Sequence, residues 1–276
     1  MDAGAALSQI IFRFAPQCKR DRAAHWPRIL LTARHRAESM TAQEALMENL
    51  IGVGLYTPAE AGRLLAIAPG KLARWLRGRH VGEHEYAPLW KSQIDLDNGH
   101  VYLGFRDLME ARIADKFMRC GVSSRRVRAA IQIAREIIGD ERPLSTDRFR
   151  TDGRDIFLRV AETDEHGEER EGLLNLFRRQ YEFKQIIEPL LKSVDFDDKG
   201  APFQWWPAGR RTNVVVDPAR SFGQPIDAST SVPTAVLAVA ANRDGVETAA
   251  VAFDVPETSV RRAVEFEAEL ERRLAA

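Results

Sequence analysis

Between Thr57 and Gly78 the chain carries a full set of start and stop signals for two short helices joined by a tight turn, and this constrains the fold more than any other stretch. Thr57 suits an N-cap, Pro58 the first helical position, and Glu60 closes a capping box with Thr57. Ala61, Leu64 and Leu65 then form one apolar stripe. Pro69 opens a second helix whose Leu72, Trp75 and Leu76 face inward, leaving Lys71, Arg74 and Gly78 on one outer edge with Arg77 close by. Gly78 stops it.

A helical hairpin of this size can be a plain piece of an all-α core. Its segregated basic face, however, is how a helix-turn-helix addresses the DNA major groove. On that reading Lys71, Arg74 and Arg77 enter the groove, Thr57 belongs to the same interface, and Arg79 and Arg106 are candidate phosphate contacts. The formal net charge is +0, from 40 basic and 40 acidic residues, so the whole-chain balance is uninformative. Its distribution is not: residues 51–138 hold 14 Lys/Arg against 9 Asp/Glu, and both later segments are net acidic.

The pattern along the chain predicts a mainly α fold with a little β. Residues 1–50 sustain no period and read as a poorly structured leader, with Met40 and Met47 as alternative starts. Residues 79–100 suit a β-hairpin wing, with apolar pieces at 86–90 and 101–103. An amphipathic helix follows from Phe105, and another from Ser124 to Ile138 with Arg125, Arg126 and Arg128 outside. Asp152-Gly153, flanked by Phe149, Thr151, Ile156, Leu158 and Val160, predicts a hairpin over 142–160. An acidic loop at 162–171, a helix over 173–191 and a loop over 195–211 come next. The end of the chain reads as a strand at Val214-Val215-Val216, an extended piece at 222–226, and helices from Pro233, Val246 and Pro256, the last two forming a second helix-turn-helix-like hairpin.

Residues 56–138 resemble the DNA-binding domain of MerR-type regulators. The matching words are Tyr56-Thr57-Pro58-Ala59-Glu60-Ala61, Leu72-Ala73-Arg74-Trp75-Leu76-Arg77, and Phe105-Arg106-Asp107-Leu108-Met109-Glu110 followed by Gly121-Val122-Ser123. The long dimerising coiled coil of that family does not follow, because Pro143 interrupts the pattern. Residues 213–270 resemble a small antitoxin domain through Val214-Val215-Val216-Asp217-Pro218, Phe222-Gly223-Gln224-Pro225, Val232-Pro233-Thr234 and Gly245-Val246-Glu247. Together, residues 51–270 resemble VapB-type antitoxins that accompany PIN-domain-like toxins.

The resemblance implies an N-terminal winged helix-turn-helix at 51–140, a connecting hairpin and helix at 141–210, and a small trihelical antitoxin and dimerisation domain at 211–276. It also implies two tasks, holding a toxic ribonuclease inactive and repressing the shared operon, with operator DNA, a PIN-like toxin and a second copy as partners. Arg261, Arg262, Arg272 and Arg273 are the candidate toxin contacts, because arginine forms bidentate bonds with the carboxylates of such a nuclease. The rival is an effector-responsive MerR-like regulator without a toxin, its pocket lined by Phe203, Trp205 and Trp206 within 142–211.

Enzymatic chemistry finds no support. His80-Val81-Gly82-Glu83-His84 matches a zinc-peptidase word, but that word needs both histidines on one helix face, and Gly78, Gly82 and Pro88 argue against a helix there. Glu165, Glu168, Glu169 and Glu171 read as a solvated run, and Asp217 before Pro218 reads as a turn. No cofactor or metal is expected. Trp205-Trp206 is either a partner anchor or a plug over the joint between domains. With Cys18 and Cys120 as the only cysteines, no membrane-length apolar run and no signal-peptide order, a cytoplasmic protein is expected.

Overall fold

A computed structural model describes Leu50 and residues 52–82, 84–96, 99–163 and 180–275. The leader at 1–49 and the acidic run at 164–171 lie outside them. Helices α1 (Pro58–Leu65) and α2 (Pro69–Arg77) form where the caps and prolines place them, and both bonds of the Thr57–Glu60 capping box are present. Ala66 takes a left-handed conformation to end α1. Gly78 ends α2 with φ 77°, where a Cβ would meet the Tyr86 carbonyl oxygen at 2.3 Å, so only glycine fits.

A short antiparallel hairpin follows, β1 (Arg79–Val81) paired with β2 (His84–Tyr86). It is tighter than the span expected from sequence. The apolar piece at 101–103 does not join it; Leu103 bridges back to Tyr56.

Helix α3 (Phe105–Arg119) is the centre of the fold. It was expected to be amphipathic, yet it is buried on nearly every side, with Asp107, Glu110 and Asp115 inside along with its apolar residues. Helix α4 (Ser124–Ile138) lays Val127, Ile131, Ala134 and Ile138 against the core as its spacing predicts. Arg126 is buried rather than outside. Where a hairpin was predicted over 142–160, the chain makes a 3₁₀ turn at Pro143–Ser145 and then helix α5 (Phe149–Thr163). Phe149, Ile156, Phe157 and Val160 fall on one helical face, and the Phe149 and Phe157 rings pack on Phe117 of α3 at 6.1 and 4.5 Å between centroids. This aromatic contact, remote in sequence, outweighs the local turn signal of Asp152-Gly153.

Helix α6 (Gln180–Leu191) leads into a four-stranded antiparallel sheet of order β3 (Val194–Phe196), β4 (Pro202–Trp205), β5 (Val214–Val216), β6 (Pro225–Asp227). The expected loop over 195–211 therefore contains two strands, with Asp197 receiving the Lys199 and Ala201 amides at the turn between them. The chain ends in three helices, α7 (Thr234–Asp244), α8 (Val246–Phe253) and α9 (Glu257–Ala275), close to the expected bounds. Leu237, Ala241, Ala249, Val255, Val260 and Ala263 form a satellite core among them. Phe266 and Leu270 of α9 instead join the main core that begins at Tyr56.

Two long-range links fasten this C-terminal part to the first helix pair. The Arg63 guanidinium of α1 meets the Glu267 carboxylate of α9 at 2.5 Å, and the Thr234 hydroxyl donates to the same carboxylate. Leu55 and Tyr56 donate to the carbonyls of Phe222 and Gly223 at 3.0 and 2.7 Å.

Candidate nucleic-acid interface and partner surfaces

Helix α2 is held by three devices. Leu72, Trp75 and Leu76 are buried, and the Trp75 and Trp90 rings lie 6.3 Å apart. Asp115 of α3, itself buried, receives Lys71 at 2.8 Å and Arg119 at 2.5 Å, while Arg119 also donates to the Ala66 carbonyl in the turn between α1 and α2. Lys71 also lies 5.0 Å from the Trp75 ring centroid. Lys71 thus anchors the helix to α3. Arg74 is exposed and forms no ion pair among the described residues. Arg77 is exposed and donates to the Gly99 carbonyl.

The other candidate contacts divide in the same way. Thr57 is engaged in its capping box. Arg79 sits on β1, beside the α2 terminus. Arg106 points inward, bonding Asp140 at 2.6 Å in a half-buried pair. The histidines of the zinc-like word, His80 and His84, lie on opposite strands of the hairpin, and Glu83 lies outside the described residues, so no helix carries that word.

Sequence reasoning missed what steadies the segment after the hairpin. Asp107, fully buried, accepts from the Trp90 indole at 3.1 Å, the Gln93 amide at 2.7 Å, the Gly104 amide at 2.9 Å and the Arg142 guanidinium at 2.6 Å. Arg142 reaches on to the Lys91 carbonyl, and Arg128 of α4 to that of Ala87. Glu110, one turn along α3, receives the Ser145 and Leu144 amides, and burial pushes its carboxyl up to about 8. An acid three residues after Asp107 on an otherwise apolar helix face was the available signal.

The C-terminal arginines do not form one cluster of free cations. Arg261 pairs with Glu257 at 2.9 Å, and Arg272 and Arg273 pair with Glu269 at 2.9 and 3.1 Å, all near the surface. Arg262 is structural: it bonds Asp227, which is 1% exposed, and the Ser259 hydroxyl, both at 3.0 Å. Glu267 of α9 is buried against Arg63. The pocket expected from Phe203, Trp205 and Trp206 is not built from those residues. Trp205 is buried under Arg112, Phe203 is exposed, and the Trp206 indole donates to Asp195 at 2.7 Å, beside Arg210. The Arg210 hydrogen bond holds the Asp195 carboxyl below its ordinary range. Trp205 therefore belongs to the main core.

A small cavity of about 140 Å³ does exist elsewhere, between α1, β6, α7 and α9. It is lined by Leu55, Tyr56, Leu64, Pro225, Pro233 and Ala235, with Glu60, Arg63 and Glu267 also in its wall. Among the described residues no helix is long and apolar enough to cross a membrane.

Comparison with known proteins gives this arrangement a family. No family model matches the chain. A candidate antitoxin of Mycobacterium tuberculosis, VapB45, is 32% identical over 191 residues, covering 65% of this chain and 79% of that protein. The chain belongs to the VapB antitoxin family. The crystal structure of Rv2018, also from Mycobacterium tuberculosis, superposes with a TM-score of 0.60 at 26% identity, covering 76% of this chain and 96% of the other. VapB membership places the chain on the antitoxin side of toxin–antitoxin systems, a regulatory and non-enzymatic class.

Proposed function

We propose that this antitoxin binds and neutralises a PIN-domain-like ribonuclease and represses its own operon, as a cytoplasmic dimer or higher oligomer, through a MerR-like winged helix-turn-helix at 51–140. On this reading residues 141–210 connect that reader to a toxin-binding and dimerisation part at 211–276. The observation that carries the DNA reading is Arg74: an exposed guanidinium, without an ion pair among the described residues, on a helix that Asp115 and a tryptophan pair fix in place, next to a β-hairpin. Such a side chain can reach a base edge without first breaking an internal bond. Arg77 and Arg79 stand at the end of the same helix and on the adjoining strand, positions suited to phosphate. Lys71 and Arg106 hold the scaffold instead.

One helix pair covers too few base pairs for useful specificity, which is why a second copy on a two-fold-related operator belongs to the reading. On the toxin side, Arg261, Arg272 and Arg273 pair with surface carboxylates, Arg272 also donating to the Ala268 carbonyl, and such pairs are weak enough to be exchanged for a partner's acidic groups. The test has two arms. The purified chain is titrated with duplex from its own promoter against scrambled duplex, and the neighbouring gene product is coexpressed and copurified. Specific retention of the promoter with capture of a ribonuclease supports the reading. Equal affinity for both duplexes overturns the DNA half, and failure to capture the neighbour overturns the toxin half.

A further inference from the structure

Phe222 is a large aromatic left half exposed on an unusual stretch of backbone. It is 48% exposed, and Ser221, Phe222 and Gly223 follow one another at φ 48°, 53° and 82°, all left-handed. For Ser and Phe that conformation is unfavourable. It is fixed by bonds from Leu55 N to the Phe222 carbonyl, Gly223 N to that of Arg220 and Gln224 N to that of Ser221. A large aromatic is therefore held at a strained position with about half of its surface still open to solvent, a condition under which strain points to an external role.

The small cavity lies beside it, because Leu55, which bonds Phe222, and Gln224, two residues on, both line its wall. Its volume of about 140 Å³ matches one phenyl ring, since an apolar cavity of about 150 Å³ takes benzene. Ala235 carries the apolar surface out of the cavity along α7. Val239 is one turn further on the same face, and Val236 sits between them, 42% exposed against 68% for Val239. Knob, hole and flanking valines thus supply an apolar centre of the kind an interface of about 800 Å² per partner is built around.

We propose that this patch is the self-association surface of the antitoxin, each Phe222 filling the cavity of a second copy. The inference rests on the oligomeric reading above and names its geometry. A two-fold contact requires the projecting group and its receptor on the same patch, and here they are three residues apart in sequence, from Phe222 to Pro225. Charge favours the same occupant. The cavity wall carries two carboxylates, Glu60 and Glu267, to one guanidinium, Arg63. The ionic neighbour of the knob is Arg220, which holds Asp217 at 2.8 Å through Nε and reaches the Ala228 carbonyl and Ser231 hydroxyl through Nη1, with its side chain 32% exposed. Exchange across a two-fold axis brings Arg220 toward the acidic wall of the other copy.

Sedimentation equilibrium of the full chain tests this with two variants. Phe222→Asn removes the ring at a position where asparagine tolerates positive φ, and Ala235→Trp closes the cavity mouth from the exposed side of α7. Each is expected to weaken self-association about 100-fold, as loss of a buried aromatic anchor does, with an unchanged circular dichroism spectrum. A wild-type chain that stays monomeric at all concentrations overturns the oligomeric reading together with this proposal. A wild-type dimer that both variants retain overturns the Phe222 contact alone. Variants that keep the dimer but lose toxin capture assign the patch to the toxin and overturn the proposal.

Discussion

The Tyr56 hydroxyl donates to the Gly223 carbonyl at 2.7 Å, joining residues 167 apart in sequence. The bond is buried, and burial raises the Tyr56 pKa, so the phenol remains a donor across the physiological range. It fixes the loop that presents Phe222 against the segment that starts the first helix pair.

Gly223→Ala is expected to cost about 2–4 kcal/mol, combining a left-handed alanine with an overpacked contact. A Cβ there would stand 2.2 Å from the Tyr56 hydroxyl oxygen. Tyr56→Phe alone should cost about 1–2 kcal/mol for the orphaned carbonyl. Because it removes the oxygen that the new methyl meets, the double variant should lose less than the sum of the two. Urea unfolding of the four proteins measures the coupling, and strict additivity would show that the clash is relieved elsewhere.

Arg74→Ala and Lys71→Ala should part company. The first is expected to lower operator affinity by about 1–3 kcal/mol at its own base pair while leaving the melting temperature in place. The second removes a half-exposed partner of Asp115 that still has Arg119, and should cost about 1 kcal/mol of stability with a smaller effect on DNA. Promoter titrations and thermal melts of both variants decide it; an inert Arg74→Ala would remove α2 as the reader.

Glu110 makes stability depend on pH. Its carboxyl rises from an ordinary 4.5 to about 8, mainly by burial and against the pull of the Ser145 and Leu144 amides. Below about pH 4.5 folded and unfolded chains are both protonated and the group is neutral toward folding. Between there and about 8 the unfolded chain ionises while the folded chain resists, so this contribution to stability falls as pH rises. Glu110→Gln keeps an acceptor oxygen for the closer, Ser145, amide and cannot ionise. The two proteins should therefore melt most alike at low pH, with the wild type falling behind toward pH 8, by about 2–4 °C for each kcal/mol. Parallel melting curves from pH 5 to 8.5 would show that Glu110 does not titrate in this way.

Among the C-terminal arginines, Arg262→Ala should destabilise the fold by about 1–3 kcal/mol, since it leaves Asp227 buried without its cation. Single alanine variants of Arg261, Arg272 and Arg273 should stay within about 0.5 kcal/mol of the wild type. Reversing Arg261, Arg272 and Arg273 to Glu should leave operator affinity and its salt dependence nearly unchanged and weaken toxin capture. A steep fall in DNA affinity with a shallower salt slope would place α9 on DNA.

Local chemistry determined much of this protein from the sequence alone. Thr57, Pro58 and Pro69 start α1 and α2, Gly78 ends α2, and the spacing of Leu72, Trp75 and Leu76 decides which face is buried, because caps and periodicity act within a few residues. The terminal helices were legible for the same reason. What required the tertiary structure were the outcomes set by distant partners. Phe149 and Phe157 became helical by packing on Phe117, against the turn signal at Asp152-Gly153. Lys71 left the basic face for Asp115, Arg106 turned to Asp140, and Glu267 turned inward to Arg63. A charged side chain on a helix looks solvated until its partner is known, and each partner here lies more than thirty residues away. Arg74 stays exposed, and among the described residues no carboxylate is folded against it.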